Sequence, residues 1–328
     1  MIIDFHTHVL DYGFWPDAWY DWVALRWAMS GPGRDPSTIR PKIEPGLVDP
    51  TGDRMIAAMD AAGVDMAVVL PMDWGPHFAD RVPIESVNLH AIALAARYPG
   101  RIVPFVGIDP RRPGAAESVE RLFKNGVVGG LKLYPPAGFD PLDPGARELY
   151  EVCIQESRPV LFHTGEPLPI LDFRLGDPIL LAGVHAAFPR LSTIIGHAGA
   201  KLWWPEALAV ARAAIDASLE LSVWIWDDTS SDEQDDFIRK LDVARKQVGM
   251  DRLLFGSDHV SGRRIRGDEF LITVTEWFRR LPERAGHLGI RFTQDDVDKL
   301  LGANAARLLR SNGHRATPEA PIDASSGP

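Results

Sequence analysis

Eight short apolar runs of strand length follow one another along this chain, each separated from the next by a stretch of helical length and period. The runs are Met1 to His8, Asp65 to Pro71, Ile102 to Asp109, Val127 to Tyr134, Val160 to Thr164, Leu191 to His197, Leu219 to Ile225 and Arg252 to Asp258. Helical segments between them include Asp53 to Ala62, Ile84 to Tyr98, Gly114 to Asn125, Leu149 to Glu156, Pro178 to Phe188 and Glu233 to Val248. Strands that alternate with helices imply a parallel α/β sheet. Eight repeats favour closure into a (β/α)8 barrel of the TIM type, although six or seven strands in an open sheet would give similar local patterns.

The polar residues decide for the barrel. His6 and His8, Lys132, His163, His197 and Asp258 each end their own run. Residues two apart on a strand point the same way, so His6 and His8 can close on one ion. Ligand types drawn from distant strands converge only around a common axis, and barrel active sites gather at the C-terminal strand ends.

A chain of 328 residues, 45% of them apolar, suits one barrel of about 250 residues with insertions. The barrel is expected over residues 1–310, and the polar segment 311–328 is expected to be disordered. Residues 9–50 form an insertion after the first strand, with Trp15, Trp19, Trp22 and Trp27 followed by Gly31, Pro32 and Gly33. Two readings stand side by side: an aromatic mini-core packing the insertion onto the barrel, or a lid over the active face.

The net charge of −10, with no basic stripe, argues against a nucleic-acid partner. Cys153 is the single cysteine, which excludes an internal disulfide framework and is expected to be a small buried core residue. Neither a signal segment nor an apolar run of membrane-spanning length is seen, so a soluble cytoplasmic protein acting on a small molecule is expected.

His163 lies in Leu-Phe-His-Thr-Gly, and His197 in Gly-His-Ala-Gly, where flanking glycines allow close approach of backbone or substrate. His163 reads as a ligand. His197 reads as a ligand, a general acid or base, or a group that polarises substrate. Asp258, in Gly-Ser-Asp, ends an apolar run at the pocket. Imidazole and carboxylate together suit Zn²⁺, Mn²⁺ or Fe²⁺. Lys132 either anchors a substrate carboxylate or pairs with Asp258 or Glu166. Trp74 and Tyr134 flank a flat substrate or pack the rim, and Arg174, Arg263, Arg264 and Arg266 are candidate carboxylate anchors.

Together with the closing Gly-Ala-Asn-Ala-Ala-Arg-Leu-Leu at 302–309, these motifs resemble the amidohydrolase superfamily, in particular the branch typified by aminocarboxymuconate semialdehyde decarboxylase. The resemblance spans about residues 1–310. It implies that His6, His8, His163 and Asp258 hold a divalent metal, most simply zinc, with no organic cofactor. It also implies that His197 handles protons or polarises substrate, and that Asp258 is both ligand and base. In dinuclear relatives a carboxylated lysine bridges two metals; Lys132 would then be that bridge and His197 a ligand to the second ion. The family also implies a homodimer. The first expectation for function is a hydrolase acting on a small cyclic or aromatic compound through metal-activated water. The alternative is a non-oxidative decarboxylase of an aromatic or muconate-like acid.

Overall fold

The computed structural model describes residues 1–124, 126–226, 228–262 and 269–311. Arg263, Arg264, Arg266 and the tail from 312 lie outside the described residues.

Nine strands form one sheet in the order β8-β7-β6-β5-β4-β3-β2-β1-β9. They are β1 (Ile3–His8), β2 (Met66–Val69), β3 (Ile102–Gly107), β4 (Gly130–Leu133), β5 (Val160–His163), β6 (Thr193–Gly196), β7 (Ala217–Glu220), β8 (Leu253–Leu254) and β9 (His259–Val260). Every recorded pairing is parallel. The short segment from Leu253 to Val260 carries both edge strands. Between them Phe5 N donates to Phe255 O at 2.9 Å and Asp258 N to His6 O at 2.8 Å, so this one segment joins β7 to β1 and closes the barrel.

Two expected strands differ in place. The seventh, expected at 219–225, runs Ala217–Glu220. Its apolar continuation, Leu221 to Trp226, leaves the sheet, with Val223 in the left-handed region at φ 64. The eighth splits into β8 and β9 because Asp258 also turns left-handed, at φ 57.

Inside the barrel, Ile3, Phe5, Val68, Leu70, Val103, Phe105, Leu161, Ile194 and Leu254 form a buried cluster. Ala305, Ala306, Leu308 and Leu309 of the C-terminal helix Asn304–Ser311 join it and seal the end opposite the histidines. Cys153 is fully buried in helix Pro144–Gln155. No described helix is long and apolar enough to cross a membrane.

The insertion folds as two helices, α1 (Asp17–Met29) and α2 (Pro36–Leu47). Asp35 caps α2 by accepting from Ser37 N, with Pro36 in the first turn where its missing N–H costs nothing. Arg40 on α2 donates to Asp17 and Asp21 on α1, each at 2.6 Å. Trp15, Trp19, Tyr20, Val23, Ile43 and Leu47 form a core that continues into Met72, Trp74, Tyr134 and Val260 of the barrel mouth. The insertion is therefore a packed aromatic core and a wall of the mouth at once.

The C-terminal helix is held by Asn304, whose buried Nδ2 donates to Met250 O at 2.8 Å and Leu253 O at 2.9 Å. Asn304→Ala removes the donor from both carbonyls and is expected to cost about 1–3 kcal/mol of stability. A lowered urea midpoint with an unchanged m-value is the reading that fits; an unmoved midpoint contradicts the clamp.

Candidate metal centre and substrate chamber

β1 aims its histidines through an irregularity. Asp4 pairs with Ala67 and Thr7 with Val69, so three steps on β1 match two on β2. The extra residue lets Phe5 pack into the inner cluster while His6 and His8 line the chamber above it. Asp4 fixes the loop opposite: its carboxylate accepts from Ser257 N at 2.9 Å, Ser257 Oγ at 2.5 Å and His6 N at 3.1 Å. Burial, only partly offset by these bonds, pushes its carboxyl up to about 7.

His6 and His8 are each oriented by a bond through Nδ1. His6 Nδ1 lies 2.7 Å from Glu220 Oε2, and His8 Nδ1 lies 2.8 Å from Leu70 O. A carbonyl and a carboxylate accept, so both rings carry hydrogen on Nδ1, and in the neutral ring Nε2 is the lone-pair nitrogen. Both lone pairs face the same carboxylate: Asp258 Oδ1 is 3.6 Å from His6 Nε2 and 3.2 Å from His8 Nε2. Ligand atoms of His6, His8 and Asp258 all lie within 4.8 Å of one another. Three electron-pair donors directed at one point repel one another unless a cation sits among them, so this donor set fits a divalent metal.

Glu220, fully buried, organises the neighbouring half of the site. Besides His6, it accepts from His197 N at 3.0 Å, Ser222 N at 2.7 Å and Ser222 Oγ at 3.0 Å. His197 continues the network, with Nδ1 at 2.7 Å from Ser222 Oγ and Nε2 at 3.0 Å from His163 Nδ1. Burial first, then the charge of His6, lowers His197 to about 3; burial, with His197 and Lys132, holds His163 well below the ordinary imidazole value. Both rings are neutral at pH 7.

An inner cavity of about 150 Å³ opens beside these groups. Aromatic rings encircle it in edge contacts: His8 to Trp15 at 6.2 Å, Trp15 to Trp74 at 5.6 Å, Trp74 to Tyr134 at 5.5 Å and Tyr134 to His163 at 4.5 Å between centroids. His163 to His197, His197 to His6 and His6 to His8 complete the circuit at 4.6, 4.5 and 5.3 Å. An outer cavity of about 440 Å³ shares Tyr134, His163, Leu168, His197 and Asp258 with it and extends past Glu166, Lys201 and Trp226. Lining the inner cavity, Lys132 Nζ, Trp74 Nε1 and His163 Nε2 are buried polar atoms that make no hydrogen bond among the described residues.

Among the described residues Lys132 Nζ has no hydrogen-bond partner, so the expected pairing with Asp258 or Glu166 is not seen and the ammonium stands alone. Burial lowers it to about 8, against the pull of Glu220 and Asp258. Arg174 stands apart, 88% exposed and paired with Asp172 at 2.8 Å. His163 is not within the close trio; it stands against His197 and presents Nε2 to the same cavity. Sequence reasoning missed Glu220 and Ser222. The available signal was Glu220 itself, the lone ionisable residue in Ser-Leu-Glu-Leu-Ser-Val-Trp, hidden because the apolar residues after it drew the expected strand downstream.

Residues 3–311 match the family described as Amidohydrolase. A search of curated proteins returns no match. Among solved structures, the chain is similar to an amidohydrolase from Burkholderia multivorans with bound zinc (18% identity, TM-score 0.67, covering 94% of this chain and 99% of that one). It is also similar to 5-carboxyvanillate decarboxylase from Sphingomonas paucimobilis (18%, TM-score 0.65, 94% and 98%). A 5-carboxyvanillate decarboxylase from Novosphingobium aromaticivorans, with bound manganese and 3-methoxy-4-hydroxy-5-nitrobenzoic acid, matches at 15% identity and TM-score 0.61 over 94% and 97%. At these identities the likeness is one of fold.

His6→Ala deletes one of the three converging donors and is expected to lower zinc retention through gel filtration, measured by elemental analysis, to a small fraction of the wild-type level. Full retention contradicts the assignment. The buried ammonium predicts the opposite effect on stability. Lowering Lys132 from 10.5 to about 8 costs on the order of 3 kcal/mol, in full below pH 8 and vanishing above pH 10.5. Metal-free Lys132→Met is therefore expected to unfold several degrees higher than wild type at pH 7, with the gap closing as pH rises through that window. A variant less stable than wild type at pH 7 would overturn this.

Proposed function

The chain belongs to the amidohydrolase family, and from that premise we propose that it is a metal-dependent decarboxylase of a small aromatic carboxylic acid. The carrying observation is the inner cavity itself: rings around its wall, and two buried hydrogen-bond donors, Lys132 Nζ and Trp74 Nε1, that nothing among the described residues satisfies. A buried donor without an acceptor costs about 1–3 kcal/mol, more when charged. A flat substrate bearing oxygens relieves that cost, and a carboxylate supplies the charge that the ammonium lacks. The decarboxylases among the similar folds act, by their names, on oxygen-substituted aromatic acids, which supports the same class.

In this reading Trp15, Trp74 and Tyr134 hold the ring by its faces and edges, and the rings exclude water from it. Lys132 and Trp74 donate to its oxygens and fix its register. His6, His8 and Asp258 would hold a divalent ion, zinc and manganese both being compatible with these donors, and it would supply Lewis-acid chemistry toward substrate oxygens. The carbon–carbon bond to the carboxylate breaks, carbon dioxide departs, and the ring carbon takes up a proton. Asp258 delivers it, since its side chain is 22% exposed, borders both cavities and so can be reprotonated from solvent. Hydrolysis, placed first on sequence grounds, uses the same strand-end groups but leaves the two donors unexplained.

The discriminating assay offers the zinc- or manganese-loaded protein a panel of hydroxy- and methoxybenzoic acids and of lactones, reading carbon dioxide and acid release separately. Carbon dioxide from an aromatic acid is expected. Lactone opening without carbon dioxide rejects the proposal in favour of the hydrolase. With the accepted acid, Lys132→Met is expected to raise KM at least tenfold while bound metal stays at the wild-type level.

A further inference from the structure

The distances around Glu220 fix more than positions. A carboxylate accepts only, and four donors surround this one: His6 Nδ1, Ser222 Oγ and the backbone N–H groups of His197 and Ser222. Ser222 has a single hydroxyl hydrogen, which it gives to Glu220. Its oxygen must then accept from His197 Nδ1, 2.7 Å away. Hydrogen on Nδ1 leaves His197 Nε2 as the acceptor, so the 3.0 Å contact to His163 is a donation from His163 Nδ1. His163 Nε2 is consequently a lone pair, and it is the atom that faces the cavity without a partner. One polarity runs through the chain, from His163 to His197 to Ser222 to Glu220.

Two further features point to Ser222 as the hinge of this arrangement. Each histidine link could by itself run either way, and it is the Ser222 hydroxyl, committed to Glu220 as acceptor, that fixes their direction. The residue that follows, Val223, is β-branched and yet held at φ 64. Such strain costs about 1–3 kcal/mol and persists where surrounding structure enforces it. Trp224 Nε1, donating to His197 O at 3.0 Å, ties the same turn back to the histidine.

We infer that Ser222 is a positioning residue which sets the tautomer of His197 and, through it, presents the Nε2 lone pair of His163 to the metal chamber. His197, with both nitrogens engaged, acts through His163. The inference concerns the protein before any substrate binds, so it stands or falls independently of the decarboxylase reading.

The test uses full-length protein with ¹⁵N-labelled histidine, metal-free and then titrated with Zn²⁺, resonances being assigned with His197→Gln and His163→Gln. In wild type, His197 and His163 should each show a single tautomer with hydrogen on Nδ1, and Zn²⁺ should move His163 Nε2. In Ser222→Ala, His197 should become a tautomer mixture, and Zn²⁺ affinity measured against a chromophoric chelator should fall about tenfold. Ser222→Thr keeps the hydroxyl and should restore both. Ser222→Cys, a weak acceptor, gives the same comparison should the alanine variant prove unstable. An unchanged His197 tautomer and Zn²⁺ affinity in the alanine or cysteine variant, or failure of threonine to restore them, overturns the inference.

Discussion

A single carboxylate, that of Glu220, holds the site in its working form. Buried charge of this kind survives only when its lone pairs are filled, and here they are filled by groups from three different strand ends. Burial drives its carboxyl above the ordinary value, while His197 and the donated hydrogen bonds oppose that drift. The room for it is made on the neighbouring segment after β8: a Cβ at Gly256 would lie 2.0 Å from Glu220 Oε1 and 3.0 Å from His6 Cβ. The glycine of Gly-Ser-Asp is thus a steric requirement of a residue 36 positions earlier in the chain.

Around that anchor the polar groups divide by whether the protein satisfies them. Asp4, Glu220, Ser222 and the Nδ1 atoms of His6 and His8 all have partners. Lys132 Nζ, Trp74 Nε1 and the outer nitrogen of His163 have none among the described residues, and all three residues border the inner cavity. The first set builds a rigid frame; the second is an unfilled demand for ligand atoms. Local strain follows the same line, since His197, Val223 and Asp258 take left-handed backbone without being glycine.

Strand and helix alternation, and the strand-end placement of His6, His8, Lys132, His163, His197 and Asp258, were legible in the sequence because apolar period and polar punctuation are local properties. What was not legible is non-local. The irregular pairing in β1 depends on β2, and the orientation of His6 depends on a glutamate 214 residues away. The seventh strand was misplaced because Leu221 to Trp226 is as apolar as a strand, although its backbone turns left-handed to reach His197. Of the arginines read as carboxylate anchors, Arg174 lies exposed and paired with Asp172 and the others fall outside the described residues, whereas Lys132, read from its strand-end position as a possible anchor, borders the inner cavity.

The segment from Leu253 to Val260 is the seam of the cylinder, joined to β7 on one side and to β1 on the other. Asp258 sits within the seam and the two histidines on the strand it meets, so an ion held by them rivets the beginning of the polypeptide to its last strand. Whatever binds the folded form alone adds RT ln(1 + [L]/Kd), about 2.7 kcal/mol at a hundredfold excess over Kd. An ion held there would therefore stabilise the closed cylinder as well as supply chemistry, so that barrel closure and ion binding would be thermodynamically linked.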